Sequence, residues 1–331
     1  MGDVAMSVPV LRAFTQQHPA VKITVLSRAY LKPLFEGIKN VTFYTAEVTQ
    51  QHKGIIGLYR LSKELKQLKF DAVADIHNVL RSKILRFFFS LSRKKIAVID
   101  KGRAEKKALT SAVNKVLKPL KTTHERYADV FRKLGFTLDL SNPIFPTKDT
   151  LEHFPFPIKR NTNEKWIGIA PFAQYQSKMY PLDLMEEVIA TLASKNQYTI
   201  FLFGGGKKEI DILEALEKKY PKTIAVAGKL NLKDELTLIA HLDCMVSMDS
   251  ANSHLAAMQQ VKTITLWGVT HPYAGFAAFN QPKDYQLLPD LEKYPKIPCS
   301  IYGNKVCEGY EEVMRSISPQ KVVEKIIEIS Q

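Results

Sequence analysis

Short apolar runs alternate with amphipathic helical stretches along almost the whole chain. Parallel strands must be joined by crossovers, and a helix is the usual crossover, so this order predicts parallel sheets covered by helices. The alternation restricts the fold more than any other feature, because it predicts an α/β protein and argues against all-helical and all-strand folds. The predicted strands span residues 21–26, 41–44, 72–76, 96–99, 166–171, 198–203, 223–226, 244–247 and 263–267.

The alternation is interrupted once, by a segment of linker composition. Residues 139–165 are rich in proline and asparagine, and 331 residues are many for one core. We therefore predict an N-terminal domain over 1–160 and a C-terminal domain over 161–318, each with its own doubly wound sheet. A final helix over 319–331 is expected to pack at the domain seam.

Charge is distributed unevenly between the two halves. Residues 1–150 contain 27 Lys and Arg against 12 Asp and Glu, whereas the remainder contains 20 against 21. The basic half could meet nucleic acid, anionic lipid or a phosphorylated substrate, or could simply be a solubilising surface. The contrast indicates that the halves bind different ligands.

Cysteine usage and hydropathy predict a cytoplasmic protein. The three cysteines, Cys244, Cys299 and Cys307, are an odd number without metal-site spacing, so we expect thiols and no disulfide framework. No apolar run reaches the roughly 18 residues that a membrane span requires.

The chain opens on Met1-Gly2-Asp3, followed directly by a helix-like segment. In α/β enzymes a glycine and an acid at the mouth of a helix commonly follow the first strand. That strand is apparently missing here. Asp3 is therefore a candidate catalytic carboxylate at an unusual terminus.

The segment from Asp249 to Ala257 follows a predicted strand and opens a helix. Its small residues would leave backbone N–H groups free, and a helix N-terminus with free N–H groups attracts a diphosphate. His254 would lie in the first turn. An ordinary N-cap with a hydrogen-bonded histidine explains the pattern equally well.

Two further loops follow predicted strands of the second half. Lys178 lies in a polar loop, where it could neutralise a phosphate or be merely solvated. Gly205 lies in a glycine triplet before Glu209, whose carboxylate could accept hydrogen bonds from a ribose. A tight strand-to-helix turn is the alternative explanation for the glycines.

Basic residues also follow the strands of the first half. His77 and Arg81 come after one strand, and Lys101 and Arg103 come after the next. Carboxyl ends of parallel strands meet at one edge, so these residues and Asp3 could line a pocket for an anionic acceptor. A solvated helix face is the alternative for the basic residues.

Several common signatures are absent from the sequence. It contains neither a G-x-G-x-x-G after a strand nor a phosphate-binding P-loop. It also lacks an Asp-x-Asp pair and a histidine pair of zinc spacing. Dehydrogenase and metal-assisted phosphate chemistry are therefore disfavoured.

Taken together, the motifs resemble those of glycosyltransferase family 9, the ADP-heptose:lipopolysaccharide heptosyltransferases. The resemblance covers nearly the whole chain and depends on the joint order of several weak motifs. These are Met1-Gly2-Asp3-Val4, the strand ending at Asp75 with Leu80-Arg81-Ser82, Lys178 before Tyr180-Pro181, Gly204-Gly205 with Glu209, Ala227-Gly228-Lys229-Leu230, and Asp249-Ser250 with His254-Leu255-Ala256-Ala257.

The resemblance implies a GT-B fold, in which two Rossmann-like domains with parallel sheets face a central cleft. It implies an inverting sugar transferase without metal or cofactor, with Asp3 as general base and Lys178 on the donor diphosphate. Where the family has glycine, this chain has Ala251. The residues that the resemblance assigns to the donor are Gly205, Glu209, Leu230, Asp249, Ser250, Ala251, Ser253 and His254.

The resemblance also implies the partners. These are a nucleotide sugar and an anionic, lipid-linked oligosaccharide acceptor at the cytoplasmic surface of the inner membrane, and not nucleic acid. Two alternatives stay open at this point: a non-catalytic or truncated relative that binds sugar or lipid, and a GT-B-like nucleotide-sugar epimerase or hydrolase.

Overall fold

A computed structural model describes residues 1–152 and 154–331 of the chain. The helices are α1 (Gly2–Ala5), α2 (Ser7–Gln17), α3 (Gly54–Gln67), α4 (Leu80–Ser90), α5 (Arg103–Leu109), α6 (Thr123–Lys133), α7 (Leu182–Ala193), α8 (Lys207–Lys219), α9 (Leu232–Ala240), α10 (Ala251–Met258) and α11 (Pro319–Ser330). The strands are β1 (Ile23–Ser27), β2 (Val41–Thr45), β3 (Ala72–Asp75), β4 (Lys95–Val98), β5 (Lys165–Ala170), β6 (Tyr198–Leu202), β7 (Thr223–Ala225), β8 (Cys244–Met248), β9 (Lys262–Leu266) and β10 (Gln286–Leu287).

The described residues divide into two compact units. Asp3–Gly102 and Thr123–Ile144 belong to the first unit, and Arg103–Thr122 and Phe145–Gln331 belong to the second. Segment 103–122 thus groups with the second unit through its own packing, in which Leu109 and Leu120 meet Ala274 in a buried cluster. The functional domains 1–160, 161–318 and 319–331 remain predictions.

In the first unit, strands pair in two parallel sets. Ile23 of β1 lies opposite Val41 of β2, and Ala72 of β3 lies opposite Lys95 of β4. Helices α3 and α4 pack against each other over the β3–β4 pair, with Leu58, Leu61, Leu65, Leu85 and Phe89 as the buried core. Apolar side chains at helical spacing therefore cover one face of these strands.

The second unit is built on a parallel sheet with the order β10-β9-β8-β5-β6-β7. Every residue of strands β6 and β8 is buried, as expected for a sheet that is covered by helices on both faces. Numbered within the unit, this order is 6-5-4-1-2-3, the doubly wound arrangement with its switch point between β5 and β8. Helix α11 packs on α7 and on strands β8 and β9.

The predicted α/β fold is confirmed, and the predicted strands agree with the observed ones to within two residues. The sequence of residues 104–117 predicts one helical stretch, but α5 ends at Leu109. Ser111 bonds the backbone of Val113, and Asn114 adopts a left-handed conformation with φ +55°, so local side-chain bonds replace the helical ones. The two-residue strand β10 had no sequence signal.

The thiol prediction for Cys299 and Cys307 was wrong. The two cysteines form a disulfide, with their Cα atoms 5.5 Å apart across a separation of eight residues. The odd count is accounted for by Cys244, which is buried in β8 with a free thiol. The number of cysteines in the sequence does not show that Cys299 and Cys307 lie close together in the fold.

Within residues 1–152 and 154–331, no helix has both the length and the apolar character that are needed to cross a membrane.

Candidate functional site

The switch point of the second unit brings together two of the predicted motifs. The segment after β5 contains a short 3₁₀ turn, Gln176–Lys178, and the segment after β8 contains Asp249 and Ser250 before α10. In doubly wound sheets ligands bind outside the carboxyl ends of the strands at this point. The sheet order therefore places Lys178 and Asp249 where a ligand is expected.

Lys178 and Asp249 form a largely buried ion pair. The Nζ atom of Lys178 lies 2.9 Å from Oδ2 of Asp249, and the two side chains are 13% and 8% exposed. The buried hydroxyl of Thr270 also donates to Oδ2, at 3.0 Å. An ammonium group carries three donors, so Lys178 can hold Asp249 and still donate to an anion. Thr270 holds the Asp249 carboxylate, and Asp249 in turn holds the ammonium group of Lys178 in place.

Two glycines, Gly268 and Gly303, pack closely against Ser177 and Lys178. A Cβ atom on Gly268 would lie 2.1 Å from the carbonyl oxygen of Ser177, and one on Gly303 would lie 2.4 Å from Cδ of Lys178. The Ser177 hydroxyl donates to the carbonyl of Gly303 at 2.5 Å, and the Ser177 carbonyl accepts from the N–H of Val269 at 3.2 Å. The Lys178 stem thus lies directly against the 299–307 loop.

The N-terminus of α10 lacks a side-chain cap. Ser250 occupies the N-cap position in an extended conformation, but its side chain accepts no bond from the helix. Its hydroxyl instead lies 3.1 Å from that of Ser247, and the Ser253 hydroxyl donates to the Ser250 carbonyl at 2.9 Å. Ala251 is the first helical residue. The ordinary N-cap alternative is therefore wrong, and the first-turn N–H groups have no side-chain acceptor from Ser250.

His254 is buried in the first turn of α10. Burial first, and the charge of Lys178 second, lower the pKa of His254 to about 4. Its Nδ1 atom is buried and has no hydrogen-bond partner among the described residues. A neutral imidazole with an unused polar atom next to a charged pair is typical of a ligand site, because a buried polar atom without a partner is costly.

The glycine triplet and Glu209 form a tight turn. The N–H of Gly205 donates to Oε2 of Glu209 at 2.7 Å. Leu230 is partly buried and directly precedes Asn231, whose side chain caps α9 by accepting from the N–H groups of Lys233 and Asp234. The turn that we considered as the alternative is thus present, and donor contacts by Gly205, Glu209 and Leu230 remain predictions.

In the first unit, Asp75 organises the turn that follows β3. Its Oδ1 atom accepts from the N–H groups of His77 at 3.0 Å and Asn78 at 2.7 Å, and its Oδ2 atom lies 2.9 Å from Nε of Arg86. Asn78 adopts a left-handed conformation with φ +46°, which asparagine tolerates better than most residues. This turn holds the backbone of His77 at the carboxyl end of β3.

The charges around His77 are those that the sequence analysis singled out. Partial burial lowers the pKa of His77; the carboxylates of Asp3 and Asp75 oppose that change, and the cations Lys101 and Arg81 add to it. Asp3 itself is exposed in α1, and its carbonyl accepts from the hydroxyl of Tyr127 at 3.1 Å. The first unit therefore brings His77 within electrostatic reach of Asp3, the candidate base, and brings Arg81 and Lys101 within reach of His77.

Arg103 does not belong to this group. It is the exposed first residue of α5, and α5 packs with the second unit. Its predicted contact with an acceptor stays a prediction. No group of three or more metal-type ligands was found among the described residues.

The sequence analysis missed several residues of the second-unit site. Ser177, Gly268 and Gly303 hold the Lys178 segment, and Thr270 holds Asp249. A signal was available for two of them, because Gly268 and Thr270 lie within four residues of the end of β9, the strand next to β8. Gly303 lies far along the chain in an irregular segment, and its sequence surroundings give no such signal.

Comparison with known proteins identifies the family. Residues 58–297 match the profile of glycosyltransferase family 9 (heptosyltransferase). The chain is 25% identical to lipooligosaccharide heptosyltransferase 2 of Haemophilus influenzae, over 99% of this chain and 96% of that protein.

Two solved structures share the fold over almost the whole chain. A family 9 glycosyltransferase from Veillonella parvula is 17% identical with a TM-score of 0.75, covering 99% of this chain and 94% of its own. ADP-heptose lps heptosyltransferase II of E. coli is 18% identical with a TM-score of 0.68, covering 99% and 95%. Because the family 9 profile matches more than half of the chain, the chain belongs to glycosyltransferase family 9, the heptosyltransferase family, and is a glycosyltransferase.

Proposed function

We propose that this protein transfers a heptose from ADP-heptose to an inner-core acceptor of lipopolysaccharide, with inversion at the anomeric carbon. The observation that carries the proposal is the Lys178–Asp249 pair at the uncapped N-terminus of α10, on the switch point of a family 9 fold. A buried cation and free backbone N–H groups suit a diphosphate leaving group. The names of the relatives supply the sugar and the acceptor class.

The leaving group is stabilised at the second-unit site. Negative charge builds on the diphosphate as the glycosidic bond breaks, so Lys178 and the first-turn N–H groups of α10 interact more strongly with the transition state than with the bound donor. The first turn of α10 and its N-cap contain the remaining donor residues, which are Ser250, Ala251, Ser253 and the neutral His254. In this proposal Lys178 and the N-terminus of α10 supply the positive charge, and no metal ion takes part.

The acceptor is activated by Asp3. Its exposed carboxylate takes the proton of the attacking hydroxyl, a contribution of roughly 10²- to 10⁴-fold for a general base. The acceptor oxygen then attacks the anomeric carbon from the face opposite ADP, through an oxocarbenium-like state. His77, Arg81, Lys101 and Arg103 bind the acidic groups of the acceptor, which agrees with the excess of basic residues in this half.

The proposed setting is the cytoplasmic surface of the inner membrane. The donor is a water-soluble nucleotide sugar, whereas the acceptor is anchored in lipid. A peripheral protein with a basic acceptor-binding half meets both substrates there, because anionic lipid attracts Lys and Arg.

The test is direct transfer. The full chain is incubated with ADP-heptose and a Kdo-lipid A acceptor, and products are followed by mass spectrometry and ADP release. We expect one heptose added per ADP released, an anomeric configuration opposite to that of the donor, and full activity in EDTA. ADP release without a sugar product, or conversion of the donor alone, would replace this proposal with a hydrolase or an epimerase. Donor binding without any turnover would indicate a binding protein.

A further inference from the structure

An exposed apolar surface lies on α3 and α4; Arg81, which is assigned to the acceptor, lies in the first turn of α4, whereas the apolar residues that α4 contributes to this surface lie at its other end. On α3, Ile55, Ile56 and Tyr59 point away from the core, and Ile56 is 79% exposed. On α4, Phe87 is 61% exposed, and Leu91 follows it four residues later at the end of the helix. Large apolar side chains rarely cluster at this exposure on a surface that meets only water.

The two helices present these residues as one continuous face. Residues 55, 56, 59 and 63 fall on one side of α3, opposite the buried Leu58, Leu61 and Leu65. The rings of Tyr59 and Phe88 lie 5.3 Å apart, and those of Phe87 and Phe88 lie 5.7 Å apart. Ile55, Ile56, Tyr59, Phe87, Phe88 and Leu91 together are called the α3–α4 face below.

The two segments that carry the α3–α4 face are strongly basic. Residues 53–69 contain five Lys and Arg against one acid, and residues 80–95 contain six against none. The one acid, Glu64, is bound to Tyr44 and His52, and among the cations Arg86 is paired with Asp75. The Nζ atom of Lys63 lies 4.7 Å from the centre of the Tyr59 ring, so charge and apolar surface are interleaved.

We propose that the α3–α4 face binds the surface of an anionic lipid bilayer. Exposed apolar side chains on helices rich in lysine and arginine fit the boundary between acyl chains and acidic headgroups. A second copy of the same face would bring its positive charges together, so the charge favours lipid over self-association. The inference deepens the proposed function, and it rests on that function only for the link to a lipid-anchored acceptor.

The first test is binding of the full chain to vesicles of phosphatidylcholine with or without phosphatidylglycerol, measured by flotation. We expect binding only when phosphatidylglycerol is present. The double variant Ile56→Ser with Phe87→Ser should bind at least about tenfold more weakly, because its apolar contacts with the acyl boundary are lost. Val113→Ser is the matched control, since Val113 is 73% exposed but lies in the second unit.

The second test separates charge from apolar contact and does not depend on the folding of the first variant. Lys63→Gln and Lys83→Gln should each weaken binding about fivefold, as expected for one cation near an anionic membrane. Lys195→Gln and Lys218→Gln, exposed lysines of the second unit, should leave binding unchanged. Equal effects at both pairs of sites would overturn the assignment of this face.

Two further outcomes would also overturn the inference. One is wild-type vesicle binding by the Ile56→Ser, Phe87→Ser variant with an unchanged thermal unfolding curve. The other is a dimer in sedimentation experiments without lipid that the same substitutions dissociate. The vesicles contain neither donor nor sugar acceptor, so this result is independent of transfer. In detergent-dispersed acceptor, the variants should transfer heptose at the wild-type rate.

Discussion

The two units hold their candidate site residues in opposite ways. In the second unit, Lys178, Asp249 and His254 are largely buried and fixed by their own unit. In the first unit, Asp3, His77 and Arg81 are exposed, and the charges of Asp3 and Arg81 act on His77. A diphosphate gains most from fixed charges that are shielded from water, whereas proton removal needs one carboxylate that the acceptor can reach. The difference agrees with the proposed division between donor binding in the second unit and acceptor chemistry in the first.

The largest expected effect is on the rate of the chemical step, without a change in stability. Asp3→Asn should lower kcat by roughly 10²- to 10⁴-fold, because the attacking hydroxyl loses its base. Since Asp3 is exposed, the thermal unfolding curve of the Asp3→Asn variant should match that of the wild type. Asp71→Asn, another exposed acid of the first unit, serves as the control in steady-state transfer assays. A loss of less than about tenfold would remove Asp3 from the role of base.

The next effect should combine catalysis and folding. Lys178→Ala should lower kcat/KM about 10²- to 10³-fold, as expected when one transition-state donor is removed. It also leaves the buried Asp249 carboxylate without its cation, so the free energy of unfolding should fall.

The double variant Lys178→Ala, Asp249→Asn separates these two consequences. Urea unfolding should show that it regains stability, and transfer assays should show that it stays as slow as the single variant. Recovery of transfer in the double variant would mean that Lys178 serves only to neutralise Asp249.

A smaller effect should distinguish packing from backbone strain. Gly303 and Gly309 both have positive φ, at +85° and +79°, but only a Cβ on Gly303 would meet Lys178. At either position the left-handed backbone should cost alanine about 1 to 2 kcal/mol in stability, and Gly303→Ala should lose more because its Cβ meets Lys178. Only Gly303→Ala should also weaken ADP binding, about tenfold by isothermal titration, if displacement of the lysine costs about 1.4 kcal/mol. Equal ADP affinity in both variants would show that the loop does not position Lys178.

The smallest expected effect is a pH dependence confined to the second unit. Burial lowers the pKa of both His254 and His271 to about 4. As the pH falls from about 6.5, the unfolded chain takes up protons that the native histidines refuse, so the free energy of unfolding decreases by roughly 1 kcal/mol per histidine at pH 5.5.

Tryptophan fluorescence can follow this change during urea unfolding, because Trp166 and Trp267 are buried in the second unit. His271→Asn should reduce the loss between pH 7 and pH 5.5. His241→Asn, at a partly exposed position of the same unit, is the control. An identical pH profile of stability in all variants would contradict the attribution of this pH dependence to the buried His271.

Much of the fold could be predicted from the sequence because local patterns determine it. Strand runs and helical periodicity located β1–β9 closely, and the strand-loop-helix context singled out Lys178 and Asp249, which the structure joins in an ion pair. These features depend on residues that are close in sequence and on the general behaviour of parallel sheets.

What could not be predicted depends on contacts between distant segments. The Cys299–Cys307 disulfide, the placement of Gly303 on Lys178, and the packing of segment 103–122 with the second unit all join parts that no local pattern connects. The end of α5 was missed for a local reason, since the side-chain bonds of Ser111 compete with helix formation.

The division between the units is tested most directly by one ADP titration, carried out by calorimetry on the wild type, Asp3→Asn and Lys178→Ala. If the second unit binds the donor and Asp3 acts only on the acceptor, ADP affinity will be unchanged in Asp3→Asn and at least about tenfold weaker in Lys178→Ala, a difference of about 1.4 kcal/mol. Weaker ADP binding in Asp3→Asn, or unchanged binding in Lys178→Ala, would contradict it.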